Sequence, residues 1–219
     1  MYNSDAERRF VDSRFLMTSG KPHITIGAGV DAPRGELPDV RERFGLKDDY
    51  IVYAGRIDES KGCGELFEYF AAYKRRCGGK LKLVLLGKAV MSIPERPDIL
   101  PLGFVSEEEK FAVLKGAKAL VLASRFESLS IVVLESMLMG RPVLVNGECE
   151  VLYDHAVKSG AGLFFRDDTE FSAALHWLLT HEREYEQMCE NGRRYVFEYY
   201  SWEKITEKLR ALTEIVGNR

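Results

Sequence analysis

The sequence predicts an α/β fold, a doubly wound parallel sheet, on three observations. From residue 50 onward, six short apolar runs (50–54, 81–86, 99–104, 119–123, 142–145 and 163–165) are nearly continuous in Val, Leu, Ile, Phe and Tyr. Continuous rather than alternating runs mark strands buried on both faces, as in parallel sheets. Segments with helical spacing separate most of these runs, and strand–helix–strand repetition closes into a sheet through right-handed crossovers. The length, 219 residues at 46% hydrophobic and 30% charged, suits one domain of ordinary size with some chain to spare.

The elements follow in order. Residues 64–77 place Leu66, Phe67, Phe70, Ala71 and Tyr73 at helical spacing. Ser106-Glu-Glu-Glu109 reads as a capping box opening a helix that buries Phe111 and Leu114. A helix over 130–139 stops at Gly140, with Pro142 just beyond. Another over 148–159 ends at Gly160, and a third over 168–180 buries Phe171, Leu175, Leu178 and Leu179. A long helix over 182–200 is polar on one side. Ser201 then caps a last helix with Trp202, Ile205, Leu209, Leu212 and Ile215 on one stripe.

Several classes are excluded. No apolar run approaches the ~18 residues that span a bilayer, and MYNSDAERRF is too polar for a signal peptide. The cytoplasm is therefore the expected compartment. The net charge of −3 shows no basic excess, so no nucleic-acid partner is expected. Cys63, Cys77, Cys149 and Cys189 form no C-x-x-C pair, and His23, His155, His176 and His181 have no metal-ligand spacing. The cysteines read as buried or half-buried thiols, and no metal site is expected.

In such sheets ligands bind beyond the carboxyl ends of the strands, which selects the loops to inspect. After the first strand comes Gly55-Arg56-Ile57-Asp58-Glu59-Ser60-Lys61-Gly62. Its glycine admits a close ligand, and Arg56 and Lys61 bring two cations to where a diphosphate would need them. The spacing alone matches neither a P-loop nor a dinucleotide fingerprint, so a solvated surface loop is the competing reading. After the fourth strand comes Ser124-Arg125-Phe126-Glu127-Ser128-Leu129-Ser130, running into the helix that carries Glu135. Eight positions apart on one helix, Glu127 and Glu135 would diverge by about 80°. With Ser130 as N-cap, Glu127 lies on the loop and Glu135 about one turn in, so both can face a ligand on the helix N-terminus. Free amides there bind anionic oxygens. Glu135 can accept from a ribose diol and Glu127 from sugar hydroxyls. Against the reading of Glu135 as one more exposed glutamate stands its place in an apolar run, because an unpaired buried carboxylate is costly.

Together these pieces resemble the C-terminal, donor-binding lobe of a retaining GT-B glycosyltransferase of the GT4 class, the glycosyl transferases group 1. The resemblance rests on Gly55-Arg56 with Lys61-Gly62, on Glu127…Glu135 as E-x7-E, and on Gly140-Arg141-Pro142-Val143. Leu102-Gly103-Phe104-Val105 and the closing Tyr200-Ser201-Trp202-Glu203 add to it, in the family's order over roughly residues 20–216. It implies a Rossmann-like sheet forming one lobe of a GT-B fold. By the same resemblance Arg56 and Lys61 would hold the diphosphate and stabilise its growing charge, and Glu135 would hold the ribose. Glu127 would contact the donor sugar, Ser128, Leu129 and Ser130 would present backbone amides, and Gly103–Val105 would lie beside the base. The donor would be a UDP-, GDP- or ADP-sugar, with no cofactor or bound metal. The sequence departs from the family where an aromatic residue and a glycine often follow the first glutamate; Leu129 and Ser130 stand there. Serine keeps the backbone small and can cap the helix, so phosphate binding should survive, whereas sugar selectivity is put in doubt.

The resemblance also divides the chain. Residues 1–46 read as a remnant of an N-terminal lobe and interlobe linker, with 7–17 as its last helix and His23-Ile-Thr-Ile26 running into the linker. Residues 47–200 are the nucleotide-sugar domain, and 201–219 a helix crossing back to the other lobe. The acceptor site, and any peripheral association with the inner face of the membrane, would belong to that other lobe, so this chain is expected to bind donor without efficient transfer. Two alternatives remain at this stage: a GT-B-fold sugar-nucleotide epimerase or phosphorylase, and a stand-alone nucleotide-binding module.

Overall fold

A computed structural model describes residues 1–15 and 23–217, with side chains through Glu214. Helix α1 (Asp5–Arg14) and the one-turn α2 (Val40–Arg43) precede strand β1 (Tyr50–Ala54), a 3-10 turn over Glu59–Lys61 and α3 (Cys63–Cys77). Then follow β2 (Lys82–Leu86), β3 (Ile99–Gly103), α4 (Glu107–Gly116), β4 (Leu120–Leu122), α5 (Ile131–Leu138) and β5 (Val143–Asn146). The chain continues through α6 (Glu150–Ser159), β6 (Gly162–Phe165), α7 (Asp168–Thr180), α8 (Glu182–Tyr200) and α9 (Trp202–Gly217).

The six strands form one parallel sheet in the order β3-β2-β1-β4-β5-β6. The order reverses between β1 and β4, and a crevice opens at such a switch point beyond the carboxyl ends. The expected double-sided burial holds for the central strands: every residue of β1, β4 and β5 is buried. It fails for β3 and β6, where most residues are only partly buried or exposed. Both are edge strands, with a neighbour on one side only. Helices α3 and α7 pack on each other, while α5 meets α4 and α8. The tyrosine hydroxyl deep in this core is paired, Tyr50 donating to the Val113 carbonyl at 2.9 Å.

The capping box forms as read. Ser106 Oγ accepts from the Glu109 amide at 3.2 Å, and Glu109 Oε2 from the Ser106 amide at 2.8 Å. Three cysteines are buried, but Cys77, at the end of α3, is exposed, which corrects the expectation of four sheltered thiols.

The first stretch is folded onto the rest. The expected helix over 7–17 is α1, set two residues earlier; residues 16 and 17 lie outside the described residues. It packs on α6 through Arg9–Asp154 at 3.0 Å and Asp5–Lys158 at 3.2 Å. The run 23–26 forms an isolated parallel bridge, Tyr2 to Thr25, rather than a strand. Val30, Val40 and Leu46 join the common core. The stripe of α9 divides: Ile205 is buried, while Trp202 and Leu209 remain largely exposed. Trp202 nevertheless covers Gly29, where a Cβ would strike the indole. Lys208 Nζ donates to the Ile26 carbonyl at 3.3 Å. The side chain of Ile215 lies outside the described residues.

Candidate active site

The two loops selected from sequence leave the sheet side by side at the switch point, after β1 and after β4. Two contacts at the Ala123 carbonyl fix them. Gly62 has φ 69°, and a Cβ there would strike the Ala123 carbonyl, so only glycine lets the β1 loop lie on the β4 loop. Asn146, at the end of β5, donates from Nδ2 to the same carbonyl at 3.1 Å and accepts the Glu148 amide at 2.9 Å. The expected turn at Asn146-Gly147 thus also buttresses the β4 loop.

Within the β1 loop, Asp58 organises the cations. Its carboxylate accepts from Ser60 Oγ at 2.6 Å, from the Lys61 amide at 3.0 Å and from Arg56 Nε. The Ser60 hydroxyl, followed by Arg56, holds the Asp58 carboxyl below its ordinary pKa despite the opposing effect of burial. Tyr53 donates to the Arg56 carbonyl at 2.6 Å, and burial raises its phenol well above the ordinary value. Lys61 reaches across to the β4 loop and pairs with Glu127 at 2.9 Å. Arg56 and Lys61 are therefore both held by carboxylates, each at the edge of a different cavity.

The first cavity, about 780 Å³, lies over β1 and β2 and is lined by Gly55, Arg56, Lys88, Phe104, Lys110 and Glu135, among others. Glu135 is 7% exposed, and its carboxylate pairs with Lys110 at 2.7 Å. Val105 also lines this cavity. Phe104 is 92% exposed, an aromatic face left open to solvent at the rim. Gly103 does not line it; its carbonyl accepts from the Gly87 amide at 2.7 Å at the base of the Phe104 segment.

The second cavity, about 540 Å³, is lined by Phe10, Lys61, Arg125, Glu127, Ser128 and Cys149, among others. Phe10 comes from α1, so the N-terminal stretch contributes one wall. Burial raises the Cys149 thiol above its ordinary value.

Between the two cavities stands the N-terminus of α5. Among the described residues, the amides of residues 128–132 donate to no protein acceptor, leaving the orphan donors of a helix start free for an anion. Ser130 occupies the N-cap position, but its side chain makes no cap bond, contrary to the capping expected from its type. The reason is backbone: Ser130 has φ 60° and ψ 70°, and it is the only non-glycine residue with positive φ among the described residues. A capping hydroxyl needs an extended N-cap residue. The position is one that favours glycine. Leu129 is buried, so its side chain belongs to the core, and it lines neither cavity.

Glu127 and Glu135 therefore do not share one pocket; they stand on either side of five free amides. Sequence reasoning missed Lys88, Lys110 and Asp58. Lys110 had a local signal, directly after a capping box, but its partner Glu135 is 25 positions away. It also missed His155, whose Nε2 lies 2.8 Å from the Leu129 carbonyl. No group of three or more His, Cys, Asp or Glu side chains placed to hold a metal occurs among the described residues. No helix among them is long and apolar enough to cross a membrane.

The family model described as glycosyl transferases group 1 matches residues 39–195. The chain belongs to the glycosyl transferases group 1. An alpha-D-kanosaminyltransferase of Streptomyces kanamyceticus is 32% identical over 207 residues, 87% of this chain and 51% of that protein. An MMP alpha-(1->4)-mannosyltransferase of Mycolicibacterium hassiacum is 29% identical, covering 96% of this chain and 52% of that protein. The chain thus spans about half the length of these relatives. Among solved structures, sucrose-phosphate synthase from Thermosynechococcus elongatus superposes with TM-score 0.76 at 21% identity, over 99% of this chain and 58% of that one. Anabaena HepE, in complex with UDP and glucose, gives 0.77 at 15% identity, over all of this chain and 62% of that one. At these identities the likeness shows the fold: the group 1 sheet of this chain is a Rossmann-like GT-B lobe.

Proposed function

We propose that the chain is the donor-binding lobe of a retaining glycosyltransferase that moves a sugar from a nucleotide diphosphate to an acceptor hydroxyl. One observation carries the reading: the amides at the start of α5, which among the described residues have no protein acceptor, lie between two cavities, one holding Arg56 and Glu135 and the other Lys61 and Glu127. In this reading the nucleoside fills the Glu135 cavity, with the base against Phe104 and Val105 and the ribose diol on Glu135. The diphosphate crosses the α5 N-terminus. The sugar enters the second cavity beside Glu127. Anabaena HepE, described with UDP and glucose, supports a nucleotide-sugar donor.

The chemistry follows from charge. As the bond between the anomeric carbon and the diphosphate oxygen breaks, negative charge grows on the leaving oxygen. The acceptor oxygen forms the new bond on the same face, and its proton passes to the departing diphosphate. Fixed donors aimed at developing charge lower such a barrier. The amides of 128–132, Arg56 and Lys61 are those donors, and no metal is invoked for the task. Both cations are parked on Asp58 and Glu127, and the diphosphate displaces those carboxylates as the preferred partner. The acceptor site belongs to a second lobe, of which residues 1–46 are a remnant together with the interlobe linker. Without it, positioning of the acceptor is lost and transfer is slow.

Calorimetry with UDP, GDP and ADP tests the reading. At least one should bind, and Arg56→Ala or Lys61→Ala should weaken it about tenfold or more, as loss of a charge-assisted contact does. No heat and no thermal stabilisation with any of the three would overturn it.

A further inference from the structure

The β4 loop is held in a conformation that its own sequence does not favour. Ser130 sits in the left-handed region with no side-chain bond to hold it there, and such a residue persists only where its surroundings over-determine it. The surroundings are specific. His155, on α6, is 3% exposed and faces the loop from below. Its Nε2 is 2.8 Å from the Leu129 carbonyl, and its Nδ1 is 3.2 Å from Tyr195 Oη on α8. A carbonyl only accepts, so Nε2 carries the proton, Nδ1 is bare, and the Tyr195 hydroxyl donates to it. Tyr195 Oη in turn lies 3.4 Å from Tyr200 Oη. The Tyr200 ring covers Gly27, while the Tyr200 carbonyl accepts from the Val30 amide at 3.0 Å. A continuous path thus runs from the segment 27–30 through Tyr200, Tyr195 and His155 to the loop at the mouth of the site.

The peptide geometry gives the path a function. The carbonyl of Leu129 and the amide of Ser130 belong to one planar trans peptide and point in opposite directions. A carbonyl drawn inward to His155 turns the Ser130 amide outward. Among the described residues that amide has no protein acceptor.

We propose that His155 is a positioning residue of the donor site: by donating from Nε2 to the Leu129 carbonyl it locks the 129–130 peptide and aims the Ser130 amide at the donor's diphosphate. The inference rests on the donor-binding reading above. It adds a residue that touches no substrate and a tautomer on which binding depends. Tyr195 fixes the tautomer, and Tyr200 ties it to the stretch where the N-terminal residues meet the sheet.

The experiment measures nucleoside diphosphate binding to the 219-residue chain by calorimetry, for the wild type, His155→Leu and His155→Gln. If UDP, GDP and ADP all fail to bind wild type, the donor-binding reading itself falls. If one binds, His155→Leu should weaken it about tenfold when measured well below its own melting temperature. His155→Gln, whose amide can reach the same carbonyl, should recover affinity to within about threefold of wild type. A His155→Leu protein that melts earlier but binds as wild type does would overturn the proposal, because a merely structural histidine gives that result. Imidazole and amide ¹⁵N NMR of the wild type tests the same claim even if His155→Leu does not fold. The neutral Nε2–H tautomer at pH 7 and a Ser130 amide that shifts on adding nucleotide are expected. The Nδ1–H tautomer, or an unmoved Ser130 amide while the Ser128 and Ile131 amides shift, would overturn it.

Discussion

Replacing Ser130 with glycine should stabilise the chain. The residue stands at φ 60° and ψ 70° without a side-chain cap bond, and a left-handed L-residue costs roughly 1–2 kcal/mol. Glycine removes that cost but adds freedom to the unfolded chain, which takes back roughly 0.4–1 kcal/mol. The net gain is about 0.5–1 kcal/mol, a rise in Tm of roughly 1–4 °C for a domain of this size. Ser130→Ala is the control. It keeps the strain and loses no hydrogen bond, so it should melt within about 1 °C of wild type. Thermal denaturation followed by circular dichroism reads both. If the serine hydroxyl capped α5 in solution, Ser130→Ala would instead cost about 1 kcal/mol and glycine would bring no gain. A drop in Tm with both variants would refute the assignment of Ser130 to a strained, uncapped position.

Other substitutions probe other parts of the molecule. Phe104→Ala, at a site 92% exposed, should leave Tm within about 1 °C of wild type yet weaken nucleotide binding roughly tenfold by removing a stacking face; equal affinity would remove Phe104 from the base site. Gly62→Ala forces a Cβ onto the Ala123 carbonyl at a left-handed position and should cost about 2 kcal/mol or more, which urea denaturation would detect. Burial pushes the His155 imidazole down to about 4 against 6.5 for a free group, with the bond to the Leu129 carbonyl and then Asp154 opposing and Lys158 reinforcing the shift. The folded state therefore favours neutral His155. Its contribution is intact above pH 6.5, declines as the pH falls toward 4, and totals about 3 kcal/mol. His155→Gln should flatten the acid side of the stability profile over that window, and an unchanged slope would contradict the burial of this ring.

Much of the architecture was written in local patterns. The runs of β1, β4 and β5 are apolar on both faces because they are central, and the capping box of α4 is complete within four residues. The edge strands β3 and β6 carry similar runs, yet a run does not state whether it has neighbours on both sides, so their exposure was not legible. In the site, Gly55, Arg56, Lys61, Glu127 and Glu135 were visible as residue types on loops at strand ends. Their distribution was not. That Lys61 pairs with Glu127 and Lys110 with Glu135, in separate cavities, depends on contacts 66 and 25 positions apart. Ser130 misled for a physical reason: serine is a good cap in an extended conformation, and the left-handed turn here is imposed by the packing of Leu129 and the bond to His155. His155 itself showed nothing in sequence, since both its partners are distant and neither is charged.

In the proposed donor site the diphosphate of a nucleotide lies on the amides at the start of α5, with the nucleoside in the Glu135 cavity. An amide ¹H–¹⁵N titration of the chain with UDP, GDP and ADP tests it most directly. With at least one of them the signals of residues 128–132, Gly55, Phe104 and Val105 should move together. Those of Lys118, Arg141 and Tyr185, which line a cavity outside the donor site, should stay in place. Movement confined to the second set, or none with any nucleotide, would contradict it.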